Sequence, residues 1–315
     1  MTAPERLSGV LSPVVTPFKD DLSPDPERLV QHCRWLLSQN VGLAVFGTTS
    51  EANSLSVEEK ISLLDQLVDA GIESSRLLSG TGHCALTDTV KLTAHAVSLG
   101  CAGMLMLPPF YYKGVSDDGL YRSFAEIIER VGSNDLRVYL YHIPQIAHVG
   151  IPPHLVERLV TQYPETVVGI KDSSGDWDNT DSLLRLDLDD FRVFAGSETF
   201  LLQNMRGGGA GCISATANIN PTAIHELYEK WQGEKAEAMH AELDAVRSTV
   251  EKYPMIPALK SVIGNLRGEA QWETVRPPLL ALADDQKTEL LDALHAQGFR
   301  MPGLTDCPDF ERGTA

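Results

Sequence analysis

At 315 residues the chain is long enough for one large barrel with an appendage, or for two ordinary domains. Apolar residues make up 43% and charged residues 22%, as in globular domains, and no run approaches the ~18 apolar residues of a membrane helix. The formal charge of -17 argues against a nucleic-acid partner, which needs a basic face, but leaves an anionic small molecule open because the local field in a cleft matters more than net charge.

In chain order, the first β-like run is Val10–Phe18, followed by an amphipathic helical stretch at Pro26–Ser38. Gly42–Thr49 and Val57–Ala70 repeat the pair, as do Arg76–Gly82 with Leu86–Leu99, Gly103–Pro109 with Asp117–Val131, and Arg137–Pro144 with Pro153–Gln162. Further β-like runs follow at Thr166–Ser173, Arg192–Glu198 and Gly211–Asn218. Strict alternation means parallel strands joined by crossovers, and eight such units close a TIM barrel. A doubly wound open sheet would normally carry a Gly-rich fingerprint after its first strand, and Thr16-Pro17-Phe18 is nothing like one. The run Arg206–Gly211 lacks the Gly-Lys-Ser/Thr ending of a phosphate loop and precedes the eighth strand, so it reads as a helix stop and tight turn. From about Gly233 the β signal ends, and Glu234–Glu251, Met255–Leu266 and Asp284–His295 read as helices, with breaks at Pro221, Pro254 and Pro257. The expected fold is α/β, a (β/α)8 barrel over residues 1–232 with a C-terminal helical region over 233–315.

Five scattered cysteines (Cys33, Cys84, Cys101, Cys212 and Cys307) form no C-x-x-C pair, and the histidines form no H-E-x-x-H or H-x-H. A disulfide framework, a zinc site or any other metal or cofactor is therefore not expected. Met1-Thr2-Ala3-Pro4-Glu5-Arg6 lacks the basic patch and apolar core of a secretory leader, so a cytoplasmic protein is expected.

Barrel enzymes place their chemistry at the C-terminal ends of the strands. There the sequence gathers hydroxyls, phenols and one lysine: Thr48 and Thr49, Tyr111 and Tyr112, Tyr141, Lys171 and Ser197. Lys171 closes the apolar run Val167-Val168-Gly169-Ile170, and alternation puts Val167, Gly169 and Lys171 on one face. If that face is the barrel interior, burial disfavours the ammonium form, and a neutral amine can attack a ketone. The lysine could instead lie on the outer face or pair with Asp172 or Asp176. Tyr141, with Tyr139 on its face, is a proton shuttle in reach of the same end, or else an amphipathic rim residue. Thr48 and Thr49 beside Gly47 suit a small carboxylate, and equally suit a turn capping the next helix.

Together these segments resemble the dihydrodipicolinate synthase / N-acetylneuraminate lyase family. Gly47-Thr48-Thr49-Ser50-Glu51 is similar to its G-[ST]-T-G-E motif, Tyr141-His142-Ile143-Pro144 to its Y-N-x-P, and Gly169–Asp176 to its Schiff-base strand. Pro109-Phe110-Tyr111-Tyr112 and Gly211–Asn218 resemble its fourth and eighth strands. The resemblance implies a lyase or aldolase that joins Lys171 to pyruvate or another 2-keto acid as a Schiff base. Tyr141 would be the general acid/base, Thr48 and Thr49 would hold the keto-acid carboxylate, and the backbone of Ile213 would line the pocket. Tyr111 would reach into a neighbouring subunit's site, in a homotetramer built from dimers.

Three departures bear on the substrate. The family's synthases grip a second carboxylate with an arginine shortly after Y-N-x-P, whereas here Gln145-Ile146-Ala147-His148 follows and no arginine occurs between Arg137 and Arg158. Ser50 and His142 also replace a glycine and an asparagine of the motifs. A neutral or hydroxylated tail is therefore expected, with His142, Gln145, His148 and Ser197 as contacts and 2-keto-3-deoxy sugar acids or 4-hydroxy-2-oxo acids as substrates. Dihydrodipicolinate synthesis is the alternative, as is a catalytically silent barrel acting as a ligand sensor. A phosphate-binding barrel would need Gly-rich loops after strands seven and eight, where Gly196-Ser197-Glu198 and Asn218-Ile219-Asn220 stand.

Overall fold

The computed structural model describes residues 6–305, so Cys307 and the first five residues of the leader comparison lie outside the described residues. Eight short strands form the frame: β1 Gly9–Ser12, β2 Gly42–Val45, β3 Leu77–Gly80, β4 Gly103–Met106, β5 Val138–His142, β6 Val167–Asp172, β7 Arg192–Ala195 and β8 Gly211–Ile213. They run parallel in chain order and close, β8 pairing back onto β1. This is the (β/α)8 barrel the alternation predicts. Most of the expected β runs overshoot the strands at their C-terminal ends. Val14, Val15 and Phe18 are as buried as strand residues but lie in the loop after β1. The Val15 N–H is taken by Asn218 Oδ1 at 3.0 Å rather than by a ladder partner.

The helices are α1 Pro26–Ser38, α2 Val57–Asp69, α3 Leu86–Ser98, α4 Asp117–Val131, α5 Pro144–Ala147, α6 Pro153–Gln162, α7 Trp177–Leu184, α8 Leu201–Arg206, α9 Pro221–Lys230, α10 Ala236–Val250, α11 Met255–Arg267 and α12 Asp284–Ala296. Polar residues start several of them: Asp25 caps α1, Ser56 and Glu59 form a capping box on α2, and Ser116 caps α4. The glycine run ends α8 and turns tightly, with Gly208 at φ 88°, into β8. Among the described residues the four cysteines are free. Among the described residues no helix is long and apolar enough to cross a membrane, and no group of three metal-ligating side chains occurs.

Strand side chains divide between two cores. One face of each strand packs under the helices, and the other fills the barrel with Leu11, Ala44, Leu78, Leu105, Tyr139 and Phe194. Tyr139 lies between β4 and β6, and a Cβ at Gly103 or Gly169 would stand 2.6 Å from its ring. Glycine at both positions is thus a requirement of that buried ring, whose hydroxyl accepts the Leu7 N–H at 2.7 Å. Gly169 therefore makes room for Tyr139 rather than for the lysine above it.

The strict alternation expected for β6 breaks once. Val138 pairs with Val167 but Tyr139 pairs with Gly169, leaving Val168 as the extra residue of a bulge. Val167 consequently packs in the outer core and Val168 in the barrel interior, so Val167 does not share the face of Lys171. Above the bulge the register is regular: Tyr141 stands opposite Lys171, and Lys171 opposite Phe194.

The C-terminal helices are tied to the barrel by buried or half-buried ion pairs. Lys260 on α11 pairs with Glu51 after β2, Arg247 on α10 meets Glu198 after β7 at 2.8 Å, and Arg28 on α1 meets Glu269 at 2.8 Å.

Candidate active site

A cavity of about 430 Å³ opens at the C-terminal ends of the strands, within the range of small-molecule sites. Thr48, Thr49, Tyr141 and Lys171 line its floor, and α10 and the start of α11 form its far wall. Lys171 is only 4% exposed, and its Nζ lies 3.5 Å from the Tyr141 hydroxyl and 4.5 Å from the ring centroid. The same hydroxyl is 3.1 Å from Thr48 Oγ1. Amine, phenol and threonine hydroxyl thus form one chain of proton-exchanging groups, drawn from β6, β5 and the loop after β2. Asp172 is held apart from the amine: its carboxylate accepts from the Ser174 N–H (2.9 Å), Asn179 (2.9 Å) and Thr180 (2.7 Å).

The loop carrying Thr48 and Thr49 owes its path to close backbone approach. Phe46 adopts φ 60°, and a Cβ on Gly80 would stand 2.0 Å from its carbonyl oxygen. Ser50 and Glu51 close the turn by donating to the Gly47 and Thr48 carbonyls, each at 3.1 Å. Thr16 Oγ1 donates to the Ser50 carbonyl at 2.7 Å, and Glu51 is anchored by Lys260 and by the Arg276 N–H at 3.0 Å.

Ser197 lines the cavity, its Oγ accepting the Thr199 N–H at 3.1 Å, and Gln145 lines it while donating to the Ser173 carbonyl. His142 does not. It is buried behind the strand with Nδ1 accepting the Ile151 N–H at 2.9 Å, and burial holds its pKa below the usual value against the pull of Asp172. His148 also stands outside the lining and ends α5 in a left-handed conformation, φ 51°. Ile213 is wholly buried in the barrel interior, and Ala215 two residues on forms the wall of the cavity. Tyr111 is 73% exposed and lies edge-on to Tyr112, outside the cavity of its own chain. Its loop is fastened by Lys113, which donates to the carbonyls of Phe110 and Ala147.

Arg247 and Glu251 line the far wall without a forewarning in the sequence. An Arg–Glu pair four residues apart on a charged helix is the pattern of a solvated surface. Only the docking of α10 against the segments that follow β7 and β8, where Arg247 meets Glu198 and Ser214, brings it to the cavity.

The Dihydrodipicolinate synthetase family matches residues 6–297. An uncharacterized DapA-like lyase of Chloroflexus aurantiacus is 34% identical over 285 residues, covering 90% of this chain and 94% of that one. The crystal structure of dihydrodipicolinate synthase from Agrobacterium tumefaciens superposes with a TM-score of 0.85 at 31% identity, covering 92% of this chain and 99% of that one. A prophage protein of the dihydrodipicolinic acid synthase family from E. coli K12, solved in complex with pyruvate, gives 0.84 at 26% identity, covering 93% and 99%. Barrel, cavity and comparisons agree: the chain belongs to the dihydrodipicolinate synthetase family, whose members are lyases and aldolases.

Proposed function

We propose that Lys171 forms a Schiff base with pyruvate or a related 2-keto acid, and that the enzyme makes or breaks the carbon–carbon or carbon–oxygen bond beside it. The observation that carries this is the chain Lys171 Nζ, Tyr141 hydroxyl, Thr48 Oγ1, with steps of 3.5 and 3.1 Å, inside a closed-in cavity. The amine attacks the ketone carbon, the carbinolamine loses water, and the resulting iminium draws electrons from the adjacent carbon. Tyr141 passes the protons of these steps, and Thr48 relays them. Thr49 and the backbone around Thr48 hold the keto-acid carboxylate. Tyr111 completes the relay from a neighbouring subunit of a homotetramer, which accounts for its exposure beside Tyr112.

The substrate is a 2-keto-3-deoxy sugar acid or a 4-hydroxy-2-oxo acid. Support comes from Gln145 in the wall after β5, where a synthase would need an arginine for a second carboxylate. Ser197 and Gln145 remain as polar contacts for the tail, while His142, committed to the Ile151 N–H, orients the strand end. Dihydrodipicolinate synthesis is the second reading, favoured by the name of the Agrobacterium relative. Pyruvate with borohydride should leave a stable adduct on Lys171, and Lys171→Arg should abolish it because a guanidinium stays protonated. Peptide mapping that puts the label on another residue, or finds none, removes the mechanism.

A further inference from the structure

We propose that Arg247 on α10 and Glu251 just past its end form the subsite for the far end of the substrate, selecting a neutral polyhydroxylated tail over one that ends in an anion. This rests on the keto-acid reading of the same cavity.

Arg247 is fixed from behind. Its Nη1 donates to Glu198 Oε2 at 2.8 Å and to Ser214 Oγ at 3.1 Å, and Glu198, wholly buried, also accepts from the Ser214 and Thr216 hydroxyls. In front, Nη2 meets Glu251 Oε1 at 2.7 Å. Burial works against the guanidinium charge, and Glu198 and Glu251 together outweigh it, raising the Arg247 pKa above its usual value. The Arg247 side chain is 13% exposed and that of Glu251 48%, so the pair is held on the barrel side and accessible from the cavity.

The charges decide which tail fits. Two carboxylates flank one guanidinium, so the cluster is net negative. Lys171 stands at the other end and is consumed by the keto group. A tail carboxylate or phosphate would have to displace Glu251 and then face it, a like-charge contact inside a partly dry cleft. A vicinal diol meets no such cost. One hydroxyl donates to the second oxygen of Glu251, and its neighbour accepts from the guanidinium.

The test compares kcat/KM for a 2-keto-3-deoxyhexonate with the 2-keto-3-deoxyhexarate of equal length, which differs in its terminal carboxylate. The unaltered enzyme should favour the hexonate by about tenfold or more, as expected of one unfavourable charge contact worth ~1.4 kcal/mol. Glu251→Gln, nearly isosteric and at a half-exposed position, should shrink that preference about tenfold by admitting the diacid. Arg247→Lys keeps a positive charge beside Glu198 but loses the planar fork, and should raise KM for the hexonate more than it lowers kcat. A preference for the hexarate in the unaltered enzyme, or one unmoved by both substitutions, overturns the subsite. Trapping pyruvate on the unaltered enzyme separates the two levels. A missing adduct at Lys171 brings down the keto-acid reading and the subsite with it, whereas an adduct formed alongside indifference to the tail refutes the subsite alone.

Discussion

Tyr141 divides one hydroxyl between Lys171 and Thr48, and its ring is packed in the barrel interior. Phenylalanine keeps that packing and removes only the proton. Tyr141→Phe should therefore leave the affinity for the keto acid nearly intact and slow the proton-transfer steps by roughly 10²–10⁴-fold, the usual worth of a general acid/base. Single-turnover rates of adduct formation, set against equilibrium binding, measure the two separately. Equal losses in both would assign the tyrosine to binding. Outside the cavity lining, Lys60 is buried on α2 with Nζ 2.8 Å from His83 Nε2. Burial brings its pKa from 10.5 down to about 8, against the upward pull of Asp88 and Glu59. Burial and the Lys60 charge lower His83 as well, so the neutral imidazole accepts from the ammonium. Between about pH 8 and ~10 the unfolded chain holds more protons at this residue than the folded one, so its contribution to stability rises with pH. Its burial cost is fully present below about pH 8. The unfolding free energy of the wild type should accordingly climb relative to Lys60→Met as pH goes from about 7.5 to about 10, in paired denaturant titrations. A constant difference, or one drifting the opposite way, would show that the lysine is not held below its free value.

At the scale of elements, the loop after β2 is braced by α11. Lys260 and Glu51 are both fully buried, Lys260 also donates to the Thr274 carbonyl at 2.8 Å, and Glu51 turns the chain at φ 55°. Lys260→Met would strand a buried carboxylate with the Arg276 N–H as its remaining donor among these contacts. The loss should be ~3–5 kcal/mol, typical of removing one partner of a buried pair, and the KM for the keto acid should rise because Thr48 and Thr49 share the loop. Adding Glu51→Gln should recover part of the stability, since the uncompensated charge is then gone. Additive losses in the two substitutions, read from denaturation midpoints, would mean that the residues do not act as a pair.

For the whole molecule, Tyr111 and Tyr112 are exposed at 73% and 74%, and a subunit contact would bury this pair of aromatic rings. If Tyr111 serves a neighbour's site, Lys171→Arg subunits mixed with Tyr111→Phe subunits should regain activity, because some sites then draw both intact residues. Verified mixed oligomers that stay as inactive as their parents would place Tyr111 outside the chemistry.

The sequence alone determined the order of elements, the barrel count and the placement of Thr48, Tyr141 and Lys171 together at one cavity, because each is written locally. β-like runs and amphipathic helices are short-range signals, and Thr48, Tyr141 and Lys171 all lie at or just past the C-terminal ends of strands that a barrel gathers at one mouth. Strand ends were overrun because Val14, Val15 and Phe18 are buried in a loop with no continuous ladder, the Val15 N–H going to Asn218, and composition registers burial rather than pairing. The face of Val167 was decided by a bulge, which depends on the partner strand. His142 was read as a pocket contact from its place in a motif, but the backbone of Ile151 claims its ring. Arg247 and Glu251 stay invisible in one dimension because their position depends on how α10 packs against Glu198 and Ser214, dozens of residues away. Long-range packing decided which polar groups face the cavity, since a side chain's direction at a helix–barrel contact is set by the docking of the whole helix and not by its neighbours in sequence.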